Sequence, residues 1–581
     1  MTDVVYADRA FWSPLVDTRF SGVRAQRPAL ASQTAESELA VLEEMVLKAR
    51  KLRNSCVGTG RLPAEVLVSI FLFVRATWPP RITRFDGVPH FHSGWMAVTH
   101  VCTIWRLAAL AAPGLWAKHA NVLNTPLRYL PIILSRSRNC PLEIEIDLLA
   151  ITNDDADGNA SLARANAINR AQDWVCQSVC LRTACLKLYG YNVSLLEKLA
   201  SLVPHLRHLR VLRLISEEDV LCPELPQPLA SLSNITELTL MDYCLPWDSP
   251  IFSSQLTYLS LSVSDRALER QRRVPSCNQL QTLLNNAYSL QALELDDFIP
   301  TGPITEVHLP QILRIFLFRL RRPQPLKFVQ SLELLAKLRI PEGCSRYAQL
   351  CPRGLEISDA GKELFAQCIT AFTTFEPLGA REVVLGRSSM STVTQERAIR
   401  IWPRNTTPTL FPPTGASIRY YINRSHYLDG PHMSHILTNS LKTYDFIESL
   451  NIIDVQIATF TSPLCRMLGR TGRWSVFATR APRLRVINVF IAECLPLLHA
   501  LMDLADGQLV SFPALKVIVL SGVDEKGADD ATFLAELTAL ASLVHLRKGE
   551  GAPLQEVVIS KDVEAWGIWA SLKDEVKITF V

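Results

Sequence analysis

Apolar positions recur at two different periods along this chain, and the change falls near Trp116. Before it the spacing is helical. Leu62, Val66, Leu67, Ile70, Phe71 and Val74 share one face at a period of about 3.6 residues. Val98, Val101, Cys102, Trp105 and Ala109 repeat that spacing and predict a second helix. Pro63 suits the first turn of the first helix, where its missing N–H would have no partner anyway. An insert from Arg75 to Gly94 separates the two patterns, and Pro113-Gly114-Leu115-Trp116 closes them. After Trp116 short apolar runs recur with the form L-x-x-L-x-L. Leu209, Leu212 and Leu214 make one, then Ile235, Leu238 and Leu240, then Leu256, Leu259 and Leu261. Leu290, Leu293 and Leu295 follow, then Ile312, Ile315 and Leu317. The pattern returns at Leu484, Ile487, Val489, at Leu515, Ile518, Leu520 and at Leu554, Val557, Ile559.

Alternation of this kind predicts strands, and the stretches between them read as helices, as in Asp530 to Arg547. A unit of one strand and one helix cannot bury its own apolar face, so neighbouring units must stack. The expected fold class is therefore α/β, with a curved and mostly parallel sheet from 121 to 581. This part resembles a leucine-rich repeat domain, though an irregular one. The Asn or Cys usual in that family is replaced by Glu217, Ser264, Phe298 and Val523. A doubly wound nucleotide-binding fold would carry a Gly-rich strand-to-helix turn, and the sequence has none. Residues 360–450 are expected to be irregular. Ile418, Tyr420 and Ile422 alternate there, Pro403, Pro408, Pro412 and Pro413 mark a loop, and Tyr420, Tyr421 and Tyr427 cluster.

The earlier helical segment, 60–120, resembles an F-box. Leu62, Pro63, Glu65, Ile70 and Phe71 match the opening of the family pattern. Val101, Cys102, Trp105 and Arg106, then Pro113, Leu115 and Trp116, match its end. The long insert and the large flanking chain are similar to the F-box families of mushroom-forming fungi. The resemblance implies a small all-helical domain that binds a Skp-type adaptor, and through it a cullin. The adaptor contact would then centre on Leu62, Pro63, Ile70, Phe71, Val101 and Trp105. A cap on a larger core is the other reading of the segment.

Upstream, residues 1–31 show no sustained period and are expected to be flexible. A helix is expected over 32–54, capped by Thr34, with Leu39, Leu42, Val46 and Ala49 as a narrow stripe. Its acidic residues precede its basic ones, which suits the helix dipole. That stripe has two possible uses: packing within the chain, or pairing with another one.

Composition changes this picture little. Of 581 residues, 48% are hydrophobic and 20% charged, which fits a folded chain of two or more domains. A net charge of +4 gives no reason to expect nucleic acid or membrane as partner. The run Arg270-Gln271-Arg272-Arg273 reads as a solvated loop. The 14 cysteines are scattered, and Cys176, Cys180 and Cys185 lack the His spacing of a zinc site. Without a signal core or a spanning segment, the expected location is cytoplasmic and/or nuclear. The sequons at Asn159, Asn192, Asn234, Asn405 and Asn423 would then stay unmodified.

No catalytic pattern stands out, so no enzyme activity and no cofactor or metal is expected. Gly58-Thr59-Gly60-Arg61 lacks the Gly-Lys-Ser/Thr ending of a phosphate loop. His90 and His92 fall in an expected loop in the insert, and His100 and Cys102 sit on a helix with the wrong offset for one face, so the four are not expected to hold a metal. Asp154, Asp155 and Asp157 lack the closing Glu of a calcium loop. The expected function is that of a substrate receptor in an SCF-type cullin ubiquitin ligase. A leucine-rich-repeat interaction scaffold without a ubiquitin role is the alternative. On the receptor reading, the target protein meets the sheet face opposite the leucines, at Arg213, Glu237, Tyr258 and Glu294.

Overall fold

The computed structural model describes residues 2–23, 26–56, 58–85, 88–151, 160–216, 223–263, 274–320, 325–350, 363–365, 367–368, 382–386, 389–393, 433–438, 452–460, 462–505, 508–521 and 530–581. The chain is mixed α/β and divides into two compact units, Met1–Leu186 and Lys187–Val581. The division thus falls after 186, whereas the periodicity change points to 120. Residues that extend the repeat pattern backward, from Lys118 on, already form strands within the first unit.

The first unit opens with two helices, Thr2–Ser21 and Pro28–Cys56. Residues 1–31, expected to be flexible, therefore hold a helix. The second helix begins well before Thr34. Thr34 does not cap it; its hydroxyl donates to the Leu30 carbonyl at 2.8 Å in the helix interior. Pro28 takes the start instead, where proline suits a first turn.

The main helix of segment 60–120 is Ala64–Thr77. The insert that follows is an antiparallel hairpin, Arg81–Phe85 with Val88–His92, rather than a loop. The second predicted helix is interrupted. A 3-10 helix over Gly94–His100 gives way to the α-helix Thr103–Ala111, and Cys102 between them is extended at φ −159 and ψ 170. This break turns Val98 inward and Val101 outward. Leu67, Phe71, Trp95, Ala109, Leu115 and Trp116 form the core of the segment. Each large side chain buried this way contributes roughly 1.5–3 kcal/mol. Trp95 and Trp116 meet edge to face at 4.8 Å, and the Trp116 indole N–H donates to the Ala109 carbonyl at 2.8 Å. Beyond it, Lys118–His119 pairs in parallel with Leu142–Asp147, whose residues alternate buried and half-buried.

The second unit is built on one mostly parallel sheet. Val211–Ile215, Glu237–Met241, Tyr258–Ser262, Ala292–Asp296, Ile315–Leu320 and Ser345–Leu350 lie side by side in chain order. The order then reverses locally. Ser345–Leu350 pairs with Met433–Thr438, which pairs antiparallel with Ser389–Val393. Ser389–Val393 in turn pairs antiparallel with Glu382–Gly386, and that strand is parallel to Ile457–Phe460. Chain order resumes through Val486–Phe490, Val517–Ser521, Glu556–Ile559 and Lys577–Phe580. Helices such as Val193–Ser201, Cys277–Asn286, Leu495–Met502 and Leu534–Gly549 connect the strands. Ser276 and Gln279 form a reciprocal cap at the start of one of them.

The predicted inward leucines are buried in every L-x-x-L-x-L run but one. At Ile312, Ile315 and Leu317 the register is one residue later. Leu313, Phe316 and Phe318 are at most 1% exposed, whereas Ile312 is 49% exposed. Phe316 is aligned with Leu293 and Phe318 with Leu295, which puts Ile315 and Leu317 on the other face. The predicted Tyr420, Tyr421 and Tyr427 cluster, the strand at Ile418 to Ile422 and the prolines near 403–413 lie outside the described residues. So do Glu217, Ser264 and Val523, the basic run 270–273 and the acidic cluster 154–157.

Candidate interaction surfaces

The six residues expected at the adaptor contact separate into two sets. Phe71 is fully buried, and the half-buried Trp105 ring packs against it at 5.2 Å. These two hold the helices together. Pro63 is exposed, Ile70 is 39% exposed and Val101 58% exposed, while Leu62 is half-buried. The first helix therefore has two apolar faces, not one. Leu67 and Phe71 point inward. Val66, Ile70 and Phe73, at i, i+4 and i+7, form an outward stripe. Phe73, 71% exposed, is a residue the motif does not include. Its signal was an aromatic set on the same face as Ile70 in the run of five apolar residues Ile70 to Val74.

The insert does not separate the helices. Trp95 donates its backbone N–H to the Trp78 carbonyl at 2.8 Å, so the chain returns to the point where the hairpin left it. Gly94 makes this return possible. It has φ +54, and a Cβ there would lie 2.6 Å from the carbonyl carbon and oxygen of Pro79. Arg75 reaches across from the first helix and donates to the carbonyls of Gly114 and Leu115 at 2.9 and 3.1 Å. Phe91 of the hairpin packs on Tyr129 at 5.0 Å.

The second surface lies on the sheet face opposite the leucines. The register sets Arg213, Thr239, Ser260 and Glu294 in one row across the strands. Glu237, Tyr258, Ala292 and Ile315 make the next row. Of the four expected target contacts, Arg213 and Glu237 are half-buried, but Tyr258 and Glu294 are buried. The Tyr258 hydroxyl donates to Glu294 Oε2 at 2.6 Å. Arg319 Nη1 lies 2.8 Å from Glu294 Oε1 and 3.8 Å from Asp296 Oδ2. Tyr258, Ala292 and Ile315 form a small apolar cluster beside them, with Tyr347 packed against it.

Glu294 is thus already engaged within the fold. Arg319 and Asp296, absent from the expected set, complete its surroundings. The signal for Arg319 was a lone charge in the apolar strand IFLFRL. Arg213 keeps more freedom, with one long bond, 3.4 Å, to the Tyr189 hydroxyl. Burial works against its charge, but the Tyr189 bond and the nearby Glu294 outweigh it and hold its pKa above the ordinary value.

Among the described residues no group of three His, Cys, Asp or Glu side chains comes close enough to hold a metal ion. No helix there is long and apolar enough to cross a membrane. Cys180 and Cys185 are buried and Cys176 half-buried, all as free thiols. No protein-family model matches the chain, and no curated protein matches it.

Proposed function

We propose that this chain is a substrate receptor of an SCF-type cullin ubiquitin ligase. On this reading its F-box-like segment binds a Skp-type adaptor, and its strands form a leucine-rich-repeat solenoid that presents a target protein. The observation that carries the reading is the outward apolar stripe Val66, Ile70 and Phe73 in the segment that matches the F-box pattern. These side chains stay in water although the core beneath them, at Leu67 and Phe71, is complete. A stripe of this kind on a helix is a surface for a partner. The chain itself would carry out no chemistry; it would supply proximity and orientation to a ligase active site on other subunits. Arg213 and Glu237 are the accessible members of the polar sheet face and the first candidates for target contact.

The test is co-purification of the full chain with a purified Skp-type adaptor. Stable capture that is lost in Ile70→Asp and Val101→Asp supports the receptor reading. A folded chain that captures no adaptor would leave the solenoid as an interaction scaffold and the helical segment as a cap.

A further inference from the structure

We infer that Arg106 and Arg136 form a docking site for an acidic, partly apolar segment of a partner protein, with a carboxylate of that segment between the two guanidinium groups. The proposal does not depend on the receptor reading. Residues 61–140 hold nine Lys or Arg and two Asp or Glu, a net charge of +7 in a chain whose total is +4. Local geometry brings two of these cations together. Trp116 is fully buried, and its indole N–H donates to the Ala109 carbonyl at 2.8 Å. Ala109 lies one turn after Arg106 on the helix Thr103–Ala111, so the helix that carries Arg106 also fixes the Trp116 ring. The Arg136 guanidinium lies over that ring, 4.4 Å from its centre. Burial lowers the pKa of Arg136, and the neighbouring charge of Arg106 lowers it further.

Among the described residues neither Arg106 nor Arg136 has an ion pair or a hydrogen bond from its guanidinium. The groups around them are already spent. Arg182 donates to the carbonyls of Leu134 and Cys140 at 3.0 and 2.9 Å, so Arg136 is not needed at the end of its helix, Leu130–Arg136. Arg75 is taken up by the Gly114 and Leu115 carbonyls, and Glu143 is paired with Lys118 at 2.6 Å. Two like charges are thus held together with no carboxylate of the described residues to offset them. A carboxylate bridging them would relieve the repulsion and accept charge-assisted hydrogen bonds from both. The Trp116 ring already orders Arg136, which lowers the entropy lost on binding.

The neighbours of the two cations select a protein segment as the occupant. Ile132, one turn before Arg136 on the same helix, is 38% exposed, and Leu107, next to Arg106, is 62% exposed. Single-stranded nucleic acid is held by cations beside aromatic faces on which bases stack, and these exposed neighbours are aliphatic. Anionic lipid is held by roughly four to eight clustered cations, and here two converge. An Asp or Glu flanked by Leu or Ile fits both the charge and the apolar rim. One contact of this size supports an affinity of about 10–100 µM.

The test is fluorescence anisotropy of a fluorescein-labelled peptide of Glu, Leu and Gly, titrated with the full chain at low and at physiological salt. Binding at about 10–100 µM is expected, weakened by salt and about tenfold weaker when Gln replaces Glu in the peptide. Arg106→Gln changes an exposed residue and should leave the urea midpoint in place while weakening binding by about tenfold. Arg136→Gln should weaken it at least as much. Arg81→Gln removes the same charge from an exposed position on the hairpin and should change binding by less than about twofold. No peptide binding at about 1 mM, unchanged binding in Arg106→Gln, or an equal loss in Arg81→Gln would each overturn the proposal. So would tighter binding of phosphatidylserine vesicles or of single-stranded DNA through the same two arginines.

Discussion

Trp95 donates its backbone N–H to the carbonyl of Trp78, and Gly94 is the residue that lets it do so. The obstacle to any other residue at 94 is the backbone of Pro79 and Pro80, which cannot swing aside as a side chain would. Gly94→Ala is therefore expected to cost about 2–4 kcal/mol, from a left-handed backbone and a clash together. Urea unfolding of the two proteins measures it.

Adjacent residues on the helix Ala64–Thr77 should respond in opposite ways. Phe71→Ala removes a fully buried ring and is expected to cost about 3–5 kcal/mol. Ile70→Asp changes an exposed position and should move stability by about 0.5 kcal/mol. On the proposed function it is Ile70→Asp that abolishes adaptor capture. Unfolding curves and capture assays on both variants separate folding from binding.

Arg319 neutralises two carboxylates that are 9% and 3% exposed. Arg319→Met would leave them without that cation and is expected to cost about 3 kcal/mol near neutral pH. Denaturant midpoints of the two proteins test this. For the same reason, charge reversal at Glu294 would report on folding before recognition. Arg213 is the better site for probing target capture.

His119 is buried, and burial lowers its pKa from 6.5 to about 4, against the opposing bond from its Nε2 to the Trp116 carbonyl at 2.6 Å. Above pH 6.5 both folded and unfolded states hold it neutral, and its full contribution is present. As pH falls from there toward 4, the unfolded chain gains a proton that the folded one resists. Stability should drop across that window by roughly 3 kcal/mol in all, with no further loss from this group below it. His119→Gln should flatten this part of the profile while other groups continue to titrate.

What could be read in the sequence followed from how many local rules agreed. At Leu212, Leu214, Leu238 and Leu240 the polar residues between the leucines fix which side faces inward, and the structure matches. Across Ile312 to Phe318 all but Arg314 are apolar, so alternation alone does not choose the register, and packing of Phe316 and Phe318 decides it. The break at Cys102 left no mark, because Val98, Val101 and Trp105 fit an unbroken helix equally well. The motif residues over 62–116 combine core and surface positions of one segment. Phe71 and Ile70 are both apolar, and only tertiary packing turns one in and the other out. The polar sheet face was located by the same alternation, yet Arg319 closing on Glu294 depends on a contact between strands that a single chain's spacing does not display.

The reversed strands in the middle of the sheet also bear on how the protein reaches this fold. On either side, each strand finds its neighbour one unit away in the chain, so pairing can proceed step by step. At the reversal this is not so. Ser345–Leu350 must find Met433–Thr438, and Glu382–Gly386 must find Ile457–Phe460, across long stretches of chain. Closing those loops costs entropy before any contact is gained. The two flanks of the sheet therefore have independent starting points for assembly, and the reversal is the seam at which they join last.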